Sequence, residues 1–129
     1  MPTSGRALPA TGWAMRRGDV FLVDFEPSRG SEADKTRPAV LVSGDAANRA
    51  AERAGRGVVT VTPVTSNTER VFPFQVLLPT EPCGLPVESK AQAEQVRAVS
   101  VGRLKRRLGR VPARTMRQLD DALRRHLAL

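Results

Sequence analysis

The chain has 129 residues, 40% of them apolar and 26% charged, which is room for one domain and the composition of a soluble globular one. Lys and Arg number 21 against 13 Asp and Glu, a net charge of +8. No apolar run approaches the ~20 residues of a membrane span and no secretory signal opens the chain, so a cytoplasmic location is expected. One Cys and one His exclude an internal disulfide and a structural zinc site.

Residues 1–14 (MPTSGRALPATGWA) carry no periodicity and read as a flexible extension. Met15 opens the patterned region and is a candidate start residue, which would make the extension an artefact; the domain is expected over 15–129. DVFLVDF at 19–25 reads as a strand, with Phe21, Val23 and Phe25 on one face and Val20, Leu22 and Asp24 on the other. PSRGSEADKT at 27–36 is a polar loop around Gly30, long enough in a small domain to suggest function. Arg37-Pro38 opens AVLVS, a strand without alternation and hence buried on both faces. Asp45 is expected to cap a short helix, AANRAAERA, that Gly55 ends. GVVTVTPV at 57–64 is the next strand and VFPFQVLL at 71–78 another, which Pro73 restricts to an edge or a bulge. TEPCGLP at 80–86 is turn material. SKAQAEQVRAVS at 89–100 reads as one or two short strands with Ala91, Ala93, Val96 and Val99 inward.

A helix is expected from about Pro112 to Leu127, with Met116, Leu119, Leu123 and Leu127 on one stripe and i,i+4 pairs Asp120–Arg124 and Asp121–Arg125. Five to seven short strands and one amphipathic helix predict a mainly β, β-rich α+β fold: a small twisted barrel or sheet packed by the helix. Residues 15–102 are neutral, with 11 basic and 11 acidic side chains. Residues 103–129 hold nine basic side chains against two acidic, Asp120 and Asp121. Such a block favours an anionic partner, nucleic acid foremost, although a solvated helix face carries similar charges.

GRG at 55–57 precedes a strand and lacks a third glycine, so it is a turn and not a dinucleotide loop. Cys83 reads as a bystander thiol and His126 as a surface residue near a helix C-terminus. One His also excludes a ribonuclease built on two catalytic histidines. Aromatics are scarce for a module that stacks several bases, and Phe72 and Phe74 astride Pro73 are either edge packing or one stacking platform. Polar residues gather at strand borders: Glu32 and Arg37, then Thr65-Ser66-Asn67, then Gln92, Glu94, Gln95 and Arg97. An arginine fork, hydroxyls and carboxylates suit phosphoryl transfer in which the substrate brings its own nucleophile. RNA does this, because its 2′-OH can attack the adjacent phosphorus while the protein supplies a base, a donor to the leaving oxygen and a cation. Neither a metal nor another cofactor is expected, since Arg37 can take the cation's role.

In order, RGDVFLVDFEP (17–27), RGSEADKTRPAVLVS (29–43), PVTSN (63–67), FPFQVLL (72–78), AEQVRAVS (93–100) and RQLDDAL (117–123) resemble the MazF/PemK/Kid family of type II toxin endoribonucleases, the mRNA interferases. The resemblance covers essentially all of 15–129 and is greatest to actinobacterial members. It implies an SH3-like β-barrel with a C-terminal helix, usually a homodimer. It also implies sequence-specific, metal-independent cleavage of single-stranded RNA (mRNA, tRNA or rRNA), leaving a 2′,3′-cyclic phosphate and a 5′-OH and inhibiting growth. The implied protein partner is a MazE-like antitoxin with an acidic tail that fills the RNA groove; DNA enters only through the toxin–antitoxin complex, and no membrane is involved. Residue by residue, Arg37 and Thr65 match the family's essential pair, Glu32 an acid–base position and Glu94 the place of an Asp base. Ser31, Ser66, Asn67, Phe72, Gln92 and Gln95 match an RNA-contacting rim. Where some members have a His and an Arg, this chain has Ser31 and Gln92, so Glu32 and Glu94 compete for the role of base. CcdB-type toxins, which bind DNA gyrase and do no chemistry, share the fold and are the alternative; they need neither the Arg37 nor the Thr65 motif. A passive nucleic-acid-binding barrel is a third reading, against which stand the neutral 15–102 segment and the few aromatics.

Overall fold

The computed structural model describes residues 15–25 and 36–129. The N-terminal extension and most of the long polar loop, with Ser31 and Glu32, lie outside the described residues. The strands are β1 (Asp19–Asp24), β2 (Thr36–Leu41), β3 (Val58–Thr65), β4 (Gln75–Leu78), β5 (Ser89–Gln92), β6 (Arg97–Ser100) and β7 (Leu104–Arg110). Helix α1 (Asp45–Ala54) joins β2 to β3, and α2 (Ala113–Leu127) ends the fold. All pairings are antiparallel, in the order β4-β5-β3-β2-β1-β7. The long β3 serves two partners on one side, β6 along Val58–Val61 and β5 at Val64–Thr65. A single 3-10 turn at Ala93–Gln95 moves the chain from one to the other, which is why 89–100 makes two strands.

The sheet does not close into a barrel; β4 and β7 are its ends. They meet through the turn after β4, where the Arg110 N–H donates to the Pro82 carbonyl at 3.0 Å. Two glycines allow that crossing. A Cβ on Gly84, whose φ is +77°, would stand 1.9 Å from the Leu108 carbonyl oxygen, and one on Gly109 would stand 2.3 Å from that of Pro82.

Alternation divides the sheet between two cores. Phe21, Val23, Leu41, Val61 and Leu104 fill one face, while Val20, Val40, Val64 and Val76 pack with Leu119 and Leu123 of α2 on the other. Each such side chain stabilises the fold by about 1.5–3 kcal/mol when fully buried. Ala39, Val40 and Leu41 are buried in succession, so β2 is covered on both sides as its sequence implies. Ala91, Ala93 and Val99 point inward as expected, with Val96 packed partly against the helix-side core.

Several expectations are corrected. Asp45 does not cap α1; Gly44 occupies that position, and Asp45 is the first helical residue. Its carboxylate accepts the Arg17 N–H at 2.7 Å, and this bond holds it below the usual carboxylate range. Gly55 does end the helix, in the left-handed conformation at φ 69°. VFPFQVLL pairs only from Gln75 onward, because Pro73 removes a donor; β4 is an edge strand, as its proline requires. Strand β7 was hidden by a run of arginines, a glycine and two register shifts that blur its alternation. In α2 the apolar stripe stops early, since Leu127 is 49% exposed. The expected i,i+4 pairs also give way: Asp120 pairs with Arg17 at 2.9 Å and Asp121 with Arg124 at 2.8 Å. Among the described residues, no helix is long and apolar enough to cross a membrane.

Candidate active site

Strand register assembles the site. Arg37 on β2 stands opposite Val23. Along the β2–β3 ladder Ala39 faces Pro63 and Leu41 faces Val61, so Arg37 and Thr65 lie two residues further on, at the same end and with the same parity. Thr65 pairs with Lys90 on β5, Lys90 with Leu77 on β4, and Gln92 with Gln75. The two-residue alternation of strands therefore puts Arg37, Thr65, Lys90, Gln92 and Gln75 on one face, with Arg37, Thr65 and Lys90 in one cross-strand row and Gln92 and Gln75 two residues along β5 toward the core. Their neighbours Val64, Ala91 and Val76 turn to the other face and are buried with α2.

Thr65 ends β3 half-buried, and its Oγ1 accepts the Asn67 N–H at 3.2 Å. The Asn67 Oδ1 in turn accepts the Glu69 N–H at 3.1 Å. These nested turns occupy the hydroxyl as an acceptor and leave its proton to be donated outward. Ser66 and Asn67 are exposed in the same turn. Arg37 is exposed and has no hydrogen bond or ion pair among the described residues.

Glu94 sits on the 3-10 turn, with Gln95 exposed beside it and half-buried Gln92 just before. Its Oε2 accepts a hydrogen bond from the Gln75 Nε2 at 2.9 Å. Its Oε1 is enclosed and has no hydrogen-bond partner among the described residues. Phe72 is 39% exposed and lies nearly parallel to Phe74, with ring centroids 5.4 Å apart. The Arg70 guanidinium and the Lys90 ammonium lie 5.7 and 5.9 Å from the Phe72 centroid. The ring therefore packs on Phe74 and is also exposed beside two cations.

Lys90 and Gln75 belong to this face and escaped the sequence reading. Lys90 is 7% exposed, and its Nζ donates to the Arg70 carbonyl at 2.6 Å. The only signal for either was a polar residue inside a strand-like run, SKAQ or VFPFQVLL. Cys83 and His126 take no part. The thiol is fully buried and burial pushes it up to about 11, while His126 is exposed near the end of α2.

An unpaired guanidinium, a hydroxyl free to donate, a carboxylate with one buried, unpaired oxygen and a cation-flanked ring complement a single-stranded phosphodiester. Among the described residues, no three of His, Cys, Asp and Glu come together as metal ligands would.

Comparison with known proteins places these residues in context. Residues 16–127 match the family model of the PemK-like, MazF-like toxin of type II toxin–antitoxin systems. The chain is 57% identical over 115 residues to endoribonuclease MazF9 of Mycobacterium tuberculosis, a match spanning 89% of this chain and 98% of that one. Its fold is similar, at a TM-score of 0.71 and 25% identity, to a mycobacterial endoribonuclease in complex with its cognate antitoxin, covering 90% of this chain and 97% of that one. A chain of a MazE–MazF crystal structure from Deinococcus radiodurans is similar at a TM-score of 0.73 and 25% identity, covering 91% and 98%.

Proposed function

The chain belongs to the PemK-like, MazF-like family of toxins and is an endoribonuclease of a toxin–antitoxin system, and we propose that it cuts single-stranded RNA by driving the 2′-OH onto the adjacent phosphorus. Glu94 takes the 2′-OH proton, and the O2′–phosphorus bond forms as the phosphorus–O5′ bond breaks. The Arg37 fork and the Thr65 hydroxyl hold the non-bridging oxygens as their charge grows. The leaving O5′ takes a proton, for which Glu32 is the remaining acid–base candidate. The products are a 2′,3′-cyclic phosphate and a 5′-OH. Because the nucleophile is internal and Arg37 supplies the positive charge, the step requires no metal.

The observation that carries this reading is that Arg37 and Thr65 share one end of a sheet face on which Gln75, bonded to Glu94, also lies. Ser66, Asn67, Phe72, Gln92 and Gln95 form the rim that reads the RNA, and Ser31 is assigned to it by its place in the motif. An acidic, MazE-like antitoxin would neutralise the same basic face, and a homodimer acting in the cytoplasm completes the reading, with 15–129 as the toxin domain. Family membership favours this chemistry over a gyrase-binding toxin, which would leave RNA intact.

The test begins with a kilobase-length single-stranded transcript, whose new 5′ ends map the cut site. An oligonucleotide containing that site is then made with a 2′-deoxy residue just 5′ of the cut. It is expected to bind and resist cleavage, whereas the all-RNA oligonucleotide is cut in excess EDTA and leaves a cyclic phosphate. Cleavage of the 2′-deoxy substrate at a comparable rate, or an activity lost in EDTA and restored by Mg²⁺, overturns the mechanism.

A further inference from the structure

We propose that Gln75 is a positioning residue that aims the Glu94 carboxylate and ties it to the Phe72 platform; the inference rests on the reading of Glu94 as the base. Gln75 opens β4 and is 8% exposed. Its backbone N–H donates to the Phe72 carbonyl at 2.8 Å, and its side-chain Oε1 accepts the Phe72 N–H at 3.1 Å. The far end of the same amide, Nε2, donates to Glu94 Oε2 at 2.9 Å.

A peptide N–H can only donate, so Phe72 fixes which end of the Gln75 amide turns toward Glu94. That end is the NH2, a donor, and it occupies Oε2. The other oxygen, Oε1, is buried and without a partner among the described residues. A buried carboxylate oxygen left unpaired is costly, so the Gln75 bond is what holds the Glu94 carboxylate in place. The peptide that orients the amide also carries the exposed ring. One side chain thus sets the distance from a stacked base to the atom that takes the proton.

The charged groups on neighbouring elements are Lys90 and Arg70 at the Phe72 ring, and Asp121 and Arg125 of α2, which line a cleft of about 400 Å³ with Gln75. Among the described residues Glu94 forms no ion pair, so the Gln75 amide is its one polar contact. A buried glutamine between apolar Phe74 and Val76 has little value for packing alone.

The test compares variants on the RNA oligonucleotide containing the mapped cut site, with kcat, KM and the pH profile of kcat/KM measured for each. Gln75→Glu keeps the acceptor for the Phe72 N–H but sets a second carboxyl against Glu94. Two carboxylates that close cannot both ionise freely, so the acid limb should move upward by about one pH unit or more. Gln75→Met keeps the bulk and removes both bonds; kcat should fall about tenfold while the melting temperature changes little, and it serves as the second variant should Gln75→Glu not fold. Glu94→Gln should abolish the limb. An unmoved limb in Gln75→Glu, with the limb lost in Glu94→Gln, overturns the role of Gln75 and leaves the base reading standing. A Glu94→Gln protein with unchanged rate and limb overturns both.

Discussion

The β1–β7 seam and the Arg37 face use the same residue types to opposite ends. At the seam, buried Asp19 accepts hydrogen bonds from Arg110 at 2.8 Å, Arg107 at 3.3 Å and the Arg16 N–H at 2.9 Å. Nearby, Arg17 pairs with Asp120 at 2.9 Å and donates to the Val42 carbonyl at 2.8 Å. In the second region Arg37 has no partner among the described residues, Glu94 has a buried, unpaired oxygen and Thr65 keeps a free proton. Charges that cancel within the fold contribute stability. Charges left uncompensated at a surface are held ready for a ligand, and this accounting separates two sets of arginines that composition alone does not.

Substitutions in the two regions should have opposite outcomes. Arg37→Ala should lower cleavage by about 10²-fold or more, the scale for losing one preorganised donor, with the melting temperature unchanged. Arg37→Lys should recover only part, since an ammonium lacks the planar fork. Asp19→Asn should do the reverse, costing about 2 kcal/mol of stability while leaving the rate per folded molecule intact. Cleavage assays and thermal melts on both proteins check this. A folded Arg37→Ala enzyme with near-normal cleavage would remove Arg37 from the site.

A subtler version lies within β3. Thr65→Val should lose activity by roughly tenfold to 10²-fold and keep its fold, because the hydroxyl is the working part. Thr62, three residues earlier, is fully buried, and its hydroxyl has no hydrogen-bond partner among the described residues. Thr62→Val should therefore keep full activity and be neutral or stabilising by up to about 1 kcal/mol. If both variants behave alike, the Thr65 hydroxyl is no more than a strand-end side chain.

Much of this division was legible in the sequence, though unevenly. The period-two run at Phe21–Val23 and the 3.6-residue stripe through Leu119 and Leu123 placed β1 and α2 because burial imposes those periods. Arg37, Thr65 and Glu94 were singled out through the ordered resemblance and not from their spacing. What stayed hidden depends on contacts between distant segments. The role of Asp19 depends on β7, which brings Arg107 and Arg110 beside it. Gln75 looked like an interruption of an apolar strand until the 3-10 turn set Glu94 against it. Asp45 had the residue type of a cap, but the neighbouring Arg17 peptide won its carboxylate. Barrel closure failed at the edge, where Pro73 shortened β4 and glycine-mediated packing replaced a last ladder.

The smallest expected effect concerns how much of the C-terminal charge reaches a nucleic acid. Residues 103–129 hold nine basic side chains, yet they are not equivalent. Arg107 and Arg110 are committed to Asp19, whereas Arg125 is exposed and Arg124 shares only an exposed i,i+3 contact with Asp121. An exposed pair of that kind is weak enough for a phosphate to displace it. Arg124→Gln/Arg125→Gln should therefore reduce the salt slope of RNA binding by about one, given roughly 0.7 per phosphate contact on a single strand. It should not change the cut sequence, because phosphate contacts position while base contacts specify. Arg107→Gln/Arg110→Gln removes the same formal charge but should change the slope less and the stability more, since Asp19 already offsets half of it. Equal slopes for the two double variants would mean that the seam arginines are as available to RNA as those of α2, and the accounting by partners would fail there.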